Sequence, residues 1–302
     1  MQHPRVKAVG FTGSLAAGRA LMDLAAARPN PIPCFTEMSS TNPVFVLPGA
    51  IRDRGEQIAK DLHASITLGA GQFCTKPGLI FLPQQGTNEM LDHLRDIVRQ
   101  SPSFTMLTKG IAAQFSKSVA ERKGSSGVHA LTTPIPSQEC NGAIADLALL
   151  LINAKALEAD PVLSEEIFGP SALFVSYADR NEIIRAAESL SGHLTATLLG
   201  AEGDLERNRD LVEILERKVG RLIFNGYPTG VEVSHAMVHG GPYPATSDGR
   251  FTSVGSQSIF RFARPMCYQN FPGDALPAEL RNDNPLGILR MIDGIMMREC
   301  SE

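Results

Sequence analysis

Short apolar runs alternate with helical stripes from residue 6 to residue 225, and that rhythm constrains the fold more than any other feature of the 302-residue chain. Residues 6–11, 32–38, 44–47, 79–82, 172–177, 194–199 and 221–225 read as strands. Residues 18–27, 55–68, 88–100, 111–122, 180–190 and 204–218 read as helices. The clearest is 88–100, where Met90, Leu91, Leu94, Ile97 and Val98 recur on one face. A βαβα succession of this kind predicts an α/β fold, a sheet with helices on its faces. Beyond Gly226 the chain turns rich in Gly, Pro and Ser; a last strand is expected over residues 256–264 and a short helix over 286–297.

Composition narrows the class. A net charge of −4 with no Lys/Arg cluster argues against a nucleic-acid surface. The most apolar stretch, residues 145–154, is too short to span a bilayer and carries Asp146. The first residues hold no secretory apolar region, so the cytoplasm is the expected compartment and no membrane partner is expected. Five cysteines, at 34, 74, 140, 267 and 300, are odd in number and widely spaced, which fits free thiols rather than a disulfide framework. No CxxC, HExxH or clustered Cys/His spacing occurs, so no metal is expected.

Four segments could carry chemistry, and each has a plainer reading. Cys74, in GQFCTKPG, follows a helix and is flanked by glycines that would let a ligand approach the backbone; it could equally be a buried apolar cysteine. Glu37, in FTEMSS at the expected end of a strand, could act as a general base or stand as a solvated carboxylate. The stretch FTGSLAAG, residues 11–18, is a strand–turn–helix with glycines five apart. Such a turn can hold a pyrophosphate at a helix N-terminus, or be an ordinary βα turn. Glu166, in SEEIFGP, could bind ribose hydroxyls with Phe168 walling a nicotinamide ring, or belong to an exposed acidic pair.

Taken in order, these segments resemble the aldehyde dehydrogenase family, from Phe11 almost to the C-terminus. The runs at 228–233 (PTGVEV), 239–248 (HGGPYPATSD) and 264–272 (RPMCYQNFP) are similar to the subgroup of α-ketoglutarate semialdehyde (2,5-dioxopentanoate) dehydrogenases. The resemblance implies a catalytic α/β domain, a Rossmann-like cofactor domain and an oligomerisation strand. It implies Cys74 as nucleophile and Glu37 as base; His239, beside Gly240 and Gly241 in a loop that could fold over the site, could position or deprotonate the thiol or be a surface or hydrogen-bonded structural histidine. Thr12, Gly13, Ser14, Gly18, Met38, Glu166 and Phe168 would bind NADP or NAD. The reaction implied is oxidation of a small aldehyde to its acid through a thiohemiacetal and a thioester, in a homo-oligomeric dimer or tetramer.

Family members carry a long region ahead of the FTGS motif, and it does not fit into the ten residues before Phe11. The expected organisation is therefore a remnant of the cofactor domain at 1–38, a catalytic domain at 39–240, and a return segment with the oligomerisation strand and tail at 241–302. Two further readings stay open: a catalytically impaired subunit that pairs with longer partners, and a cysteine-dependent esterase that uses Cys74 and Glu37 with no hydride step.

Overall fold

A computed structural model describes residues 1–131 and 142–298, so Cys140 and Cys300 lie outside the described residues. The elements are β1 (Val9–Thr12), α1 (Leu15–Ala26), β2 (Cys34–Glu37), β3 (Val44–Val46), α2 (Pro48–Thr67), β4 (Leu79–Pro83), α3 (Asn88–Arg99), β5 (Phe104–Thr105), α4 (Lys109–Gly124), β6 (His129–Ala130), β7 (Ile144–Ala145), β8 (Ala148–Asn153), α5 (Ala154–Ala159), β9 (Ser171–Tyr177), α6 (Arg180–Ser189), β10 (His193–Leu199), α7 (Asp204–Arg207), α8 (Arg209–Glu216), β11 (Val219–Phe224), β12 (Arg290–Ile292) and β13 (Ile295–Met297). Contacts divide them into two compact units, Met1–Arg261 and the remainder from Phe262.

The expected α/β architecture is what the larger unit shows. Seven strands run in the order β11-β10-β3-β4-β9-β8-β6; every pair is parallel except the antiparallel edge pair β6–β8. A parallel sheet covered on both faces needs strands that are apolar throughout, and β3, β4 and β10 are buried at every position. One face packs Phe45, Phe81, Leu198 and Leu215; the other packs Val46, Ile58, Leu62, Ile80 and Leu94. The apolar stretch flagged in the sequence supplies β8, and α5 begins at its end. A separate parallel pair, β1–β2, carries α1 and is in register from Val9↔Cys34 to Thr12↔Glu37.

Polar groups pin the sheet edge where β3, β4 and β10 begin. Asn42 is fully buried, its side chain accepting from Ser40 Oγ at 2.8 Å and Thr195 Oγ1 at 3.1 Å. His193, at the start of β10, accepts from Thr41 N at 3.3 Å, and its Nε2 is buried without a partner. Burial, aided by the charge of Lys218, pushes the His193 imidazole down to about 4. A folded value below the unfolded one means that the unfolded chain takes up the proton first as pH falls. Stability from this group is therefore complete above the unfolded value near 6.5 and is lost as pH falls towards 4, by about 3 kcal/mol. Urea midpoints at pH 7 and pH 4.5 should show that loss in the wild type and a smaller one in His193→Gln; equal losses would contradict it.

Four local expectations are corrected. Helix α2 starts at Pro48 rather than at residue 55, because Pro fits the first helical turn; it kinks at Arg54 (φ −154°, ψ 34°). The strand expected over 256–264 is absent: Ser256–Phe262 winds as 3₁₀ turns, with Ser258 N donating to Gly255 O. No strand among the described residues pairs with it, so its backbone closes locally. The helix expected over 286–297 is instead the hairpin β12–β13, turned by Asp293 and Gly294, both at positive φ. Asp-Gly between apolar residues is the sequence mark of a two-residue hairpin turn. The single helix expected over 204–218 breaks at Asn208 into α7 and α8.

Candidate active site

The candidate residues converge where the carboxyl end of β2 meets the edge of the large sheet from which β4 and β9 start. Glu37 is the last residue of β2 and is held on both sides. Thr12 of β1 pairs with it in register, and residue 246 bridges it antiparallel on the other flank. Met38 N donates to Ala245 O at 2.8 Å, and Ser247 N to Thr36 O at 2.9 Å. Gly13 N donates to the Glu37 carbonyl at 3.0 Å, so the turn before α1 is tied to the same residue.

Cys74 sits on a turn that needs unusual backbone. Gly69, Ala70 and Gly71 all lie at positive φ, between 58° and 65°. A Cβ on Gly71 would stand 2.3 Å from the Gly169 carbonyl oxygen, so the thiol turn touches the EEIFGP loop backbone to backbone. Gly71→Ala is expected to cost more than about 2 kcal/mol, since positive φ and a backbone clash add. Its urea midpoint should fall while Gly124→Ala, where nothing stands within 4 Å and φ is not positive, changes far less. Asn42 Nδ2 donates to the carbonyls of Cys74 at 2.9 Å and Lys76 at 3.0 Å, which clamps the turn from the other side.

His239 completes the cluster from the loop after β11. It is 3 % exposed, and its backbone is fixed: Thr252 Oγ1 accepts from its N–H at 2.8 Å, and Ser253 N donates to its carbonyl at 2.8 Å. His239 Nε2 stands 3.3 Å from Cys74 Sγ and 3.2 Å from Glu37 Oε1. Ser253 Oγ donates to Glu37 Oε2 at 2.7 Å. The sequence-picked residues Glu37, Cys74 and His239 thus form one contact row, with the imidazole in the middle.

Electrostatics set the resting protonation. Burial opposes ionisation of Glu37, but hydrogen bonding and charge from His239 and the Ser253 hydroxyl outweigh it, and its carboxyl lies below the usual range. Burial, with the Glu37 charge beside it, pushes the Cys74 thiol up to about 12; the backbone N–H groups of Cys74 and Thr75 work the other way. The resting form is therefore a neutral thiol facing a carboxylate.

Glu166 is half-buried and takes hydrogen bonds from the Ser39 side chain and the Ser40 backbone; burial raises its carboxyl and the Lys76 charge opposes that. Phe168, 39 % exposed, stands beyond it on the same loop. Gly18 of α1 and Met38 meet each other, a Cβ on Gly18 falling 2.5 Å from Met38 Cγ. Ser14 caps α1 by accepting from Ala17 N at 3.3 Å. Thr12, Gly13, Ser14 and Gly18 lie on β1–α1 and reach the thiol only through Glu37.

Sequence reasoning passed over Asn42, Lys76, Ser253 and Arg221. Lys76 is 2 % exposed and donates from Nζ to Ser171 O at 2.8 Å and Ile167 O at 3.2 Å, strapping the thiol turn to the Glu166 loop. Burial lowers its ammonium to about 8, opposed by Glu166. Lys76 stands three residues before the buried strand β4, and no spacing in the sequence marks it. Arg221 of β11 donates to Pro228 O at 2.8 Å. Burial lowers its guanidinium, and a charge on Cys74 would oppose that.

Comparison with known proteins gives the family. The model of the aldehyde dehydrogenase family matches residues 1–253. Alpha-ketoglutaric semialdehyde dehydrogenase 2 of Azospirillum brasilense is 47% identical over 299 residues, covering 97% of this chain and 56% of that protein. Alpha-ketoglutaric semialdehyde dehydrogenase of Acinetobacter baylyi is 43% identical over 300 residues, with 98% and 56% covered. This chain thus spans little more than half the length of the curated relatives it matches. The fold is also that of 1-pyrroline-5-carboxylate dehydrogenase from Thermus with bound NAD (TM-score 0.70, 19% identity, covering 86% of this chain and 50% of that one). It is shared by an aldehyde dehydrogenase from Bacillus cereus (TM-score 0.72, 18% identity, covering 86% and 51%). A sheet, a thiol turn and a Glu-bearing strand arranged in this way, under a family match that runs from residue 1 to residue 253, place the chain in the aldehyde dehydrogenase family.

Proposed function

We propose that this chain oxidises an aldehyde to a carboxylic acid with NADP or NAD, and that the aldehyde is 2,5-dioxopentanoate, giving 2-oxoglutarate. The observation that carries the reading is the contact row Cys74–His239–Glu37, at 3.3 and 3.2 Å. In it Cys74 Sγ attacks the carbonyl carbon as the thiol proton passes to the Glu37 carboxylate, with which the thiol hydrogen-bonds while His239 Nε2 holds Oε1; Glu37 returns that proton to solvent before the second half of the reaction. The Cys74 N–H is aimed at the oxyanion. After oxidation of that carbon, Glu37 takes a proton from water as the water adds to the thioester, and the carbon–sulfur bond breaks to release the acid.

The residues present fit a dinucleotide. Gly18 lets α1 close tightly on β2, the role a glycine plays in dinucleotide-binding turns, and the N-terminus of α1 follows the Gly13–Ser14 turn. Thr12, Gly13 and Ser14 would hold the pyrophosphate side, Glu166 the ribose, and Phe168 the ring face. Bound there, the dinucleotide supplies the hydride acceptor. Among the described residues no helix is long and apolar enough to cross a membrane. In the segment from Phe262, Met266, Phe271, Met291 and Ile295 are exposed, and a second copy of the chain in a homo-oligomer would cover them.

The substrate choice is supported by the relatives' names and by Arg221. A guanidinium that a charge on Cys74 would influence suits an aldehyde that ends in a carboxylate. The test is turnover by this chain of 2,5-dioxopentanoate with NADP or NAD, followed through reduced cofactor. Arg221→Leu should raise KM for that substrate by about 10–100-fold, the worth of one charge-assisted hydrogen bond, and leave butanal unchanged. Cys74-dependent ester hydrolysis with no cofactor reduction would favour the esterase reading instead. Failure of both activities would contradict the proposed chemistry.

A further inference from the structure

We infer that Cys74, His239 and Glu37 also form a zinc-type metal site, which takes up a divalent ion when no substrate is bound. The three ligand atoms lie within 4.8 Å of one another, and they are a thiol sulfur, an imidazole nitrogen and a carboxylate oxygen, the donor set zinc prefers. With a Zn–S distance of about 2.3 Å and Zn–N and Zn–O of about 2.0 Å, a tetrahedral ion needs edges of about 3.5 Å for S···N and about 3.3 Å for N···O. The edges seen are 3.3 Å for Cys74 Sγ to His239 Nε2 and 3.2 Å for His239 Nε2 to Glu37 Oε1. Those two edges lie within a few tenths of an ångström of the tetrahedral values, and the third, Cys74 Sγ to the Glu37 oxygen, is at most 4.8 Å.

Ser253 holds Glu37 as outer-shell partners hold ligands in metal sites, while His239 Nδ1 is buried without a partner among the described residues. Ser253 Oγ occupies Glu37 Oε2 and so turns Oε1 toward the imidazole. His239 and Glu37 are 3 % and 6 % exposed. Three protein ligands leave a fourth position for water. Zinc-type spacing is invisible in the sequence because the ligands come from three distant segments. The binding step balances simply: the ion gains a sulfur ligand as the Cys74 thiol gives up its proton to solvent, and no electron moves.

Binding rests on geometry alone, whereas its consequence, reversible inhibition, rests on Cys74 being the nucleophile proposed above. The test is titration of the full chain with Zn²⁺ against a chromophoric chelator, and with Co²⁺ followed by absorption. The expected result is one tight site per chain with tetrahedral, thiolate-bound cobalt bands. His239→Asn and Glu37→Gln, which keep all five cysteines, should each weaken zinc by at least about 100-fold, beyond the loss of an outer-shell partner. Thermal melts of both variants identify any that fails to fold, and the other then decides. Unchanged affinity in a folded variant, or octahedral cobalt without sulfur bands, would overturn the site. One-site binding lost in both variants while saturating zinc leaves turnover intact supports the site and contradicts the nucleophile.

Discussion

Cys74→Ala is expected to lower turnover of 2,5-dioxopentanoate by at least about 10⁴-fold, because it removes the atom that forms the covalent bond and no neighbour can replace it. The other described thiols lie elsewhere: Cys34 is on β2 and half-buried, and Cys267 is exposed. Cys74→Ser should be nearly as inactive. The resting thiol is pushed up to about 12 by burial and the Glu37 charge, so few molecules hold a free thiolate at neutral pH. Attack must be coupled to loss of the thiol proton, and the Glu37 carboxylate, hydrogen-bonded to the thiol, is placed to take it. Folding should survive the change, since Asn42, and not the thiol, holds the turn through the carbonyls of residues 74 and 76. Steady-state rates and a urea melt on the same sample check both halves of the expectation.

Glu37→Gln should separate the two halves of the reaction. The amide keeps the shape of the carboxylate and can still accept from Ser253, but it cannot take a proton from water. Turnover is expected to fall by about 10²–10⁴-fold, the usual worth of a general base, with thioester accumulating at Cys74. Removing the charge also removes one of the causes that hold the thiol up, so alkylation of Cys74 by iodoacetamide should become faster than in the wild type. A variant that hydrolyses its thioester at the wild-type rate would leave Glu37 without the role of base.

Local sequence carried much of the fold, and the reasons it fell short are specific. The stripe of Met90, Leu91, Leu94 and Val98 is sufficient for α3, and the apolar runs that become β3, β4 and β10 are buried as their composition demands. Asp293–Gly294 marks the hairpin, but Met and Ile on either side also suit a helix. The 3₁₀ turns of Ser256–Phe262 depend on the absence of a pairing strand, which no window of sequence reports. At the site, Cys74 and Glu37 stood out through their motifs. That one imidazole nitrogen touches both is a fact about three segments that only folding brings together. Asn42 and Lys76 act by bonding backbone carbonyls, and such partners leave no trace in spacing.

Peptide mass spectrometry of an acid-quenched mixture of this chain, 2,5-dioxopentanoate and NADP or NAD tests the thiol chemistry most directly. A 2-oxoglutaryl thioester should appear on the peptide that holds Cys74, vanish in Cys74→Ala and build up in Glu37→Gln. Reduced cofactor formed with residue 74 unmodified in every variant, or an adduct confined to Cys34 or Cys267, would contradict it.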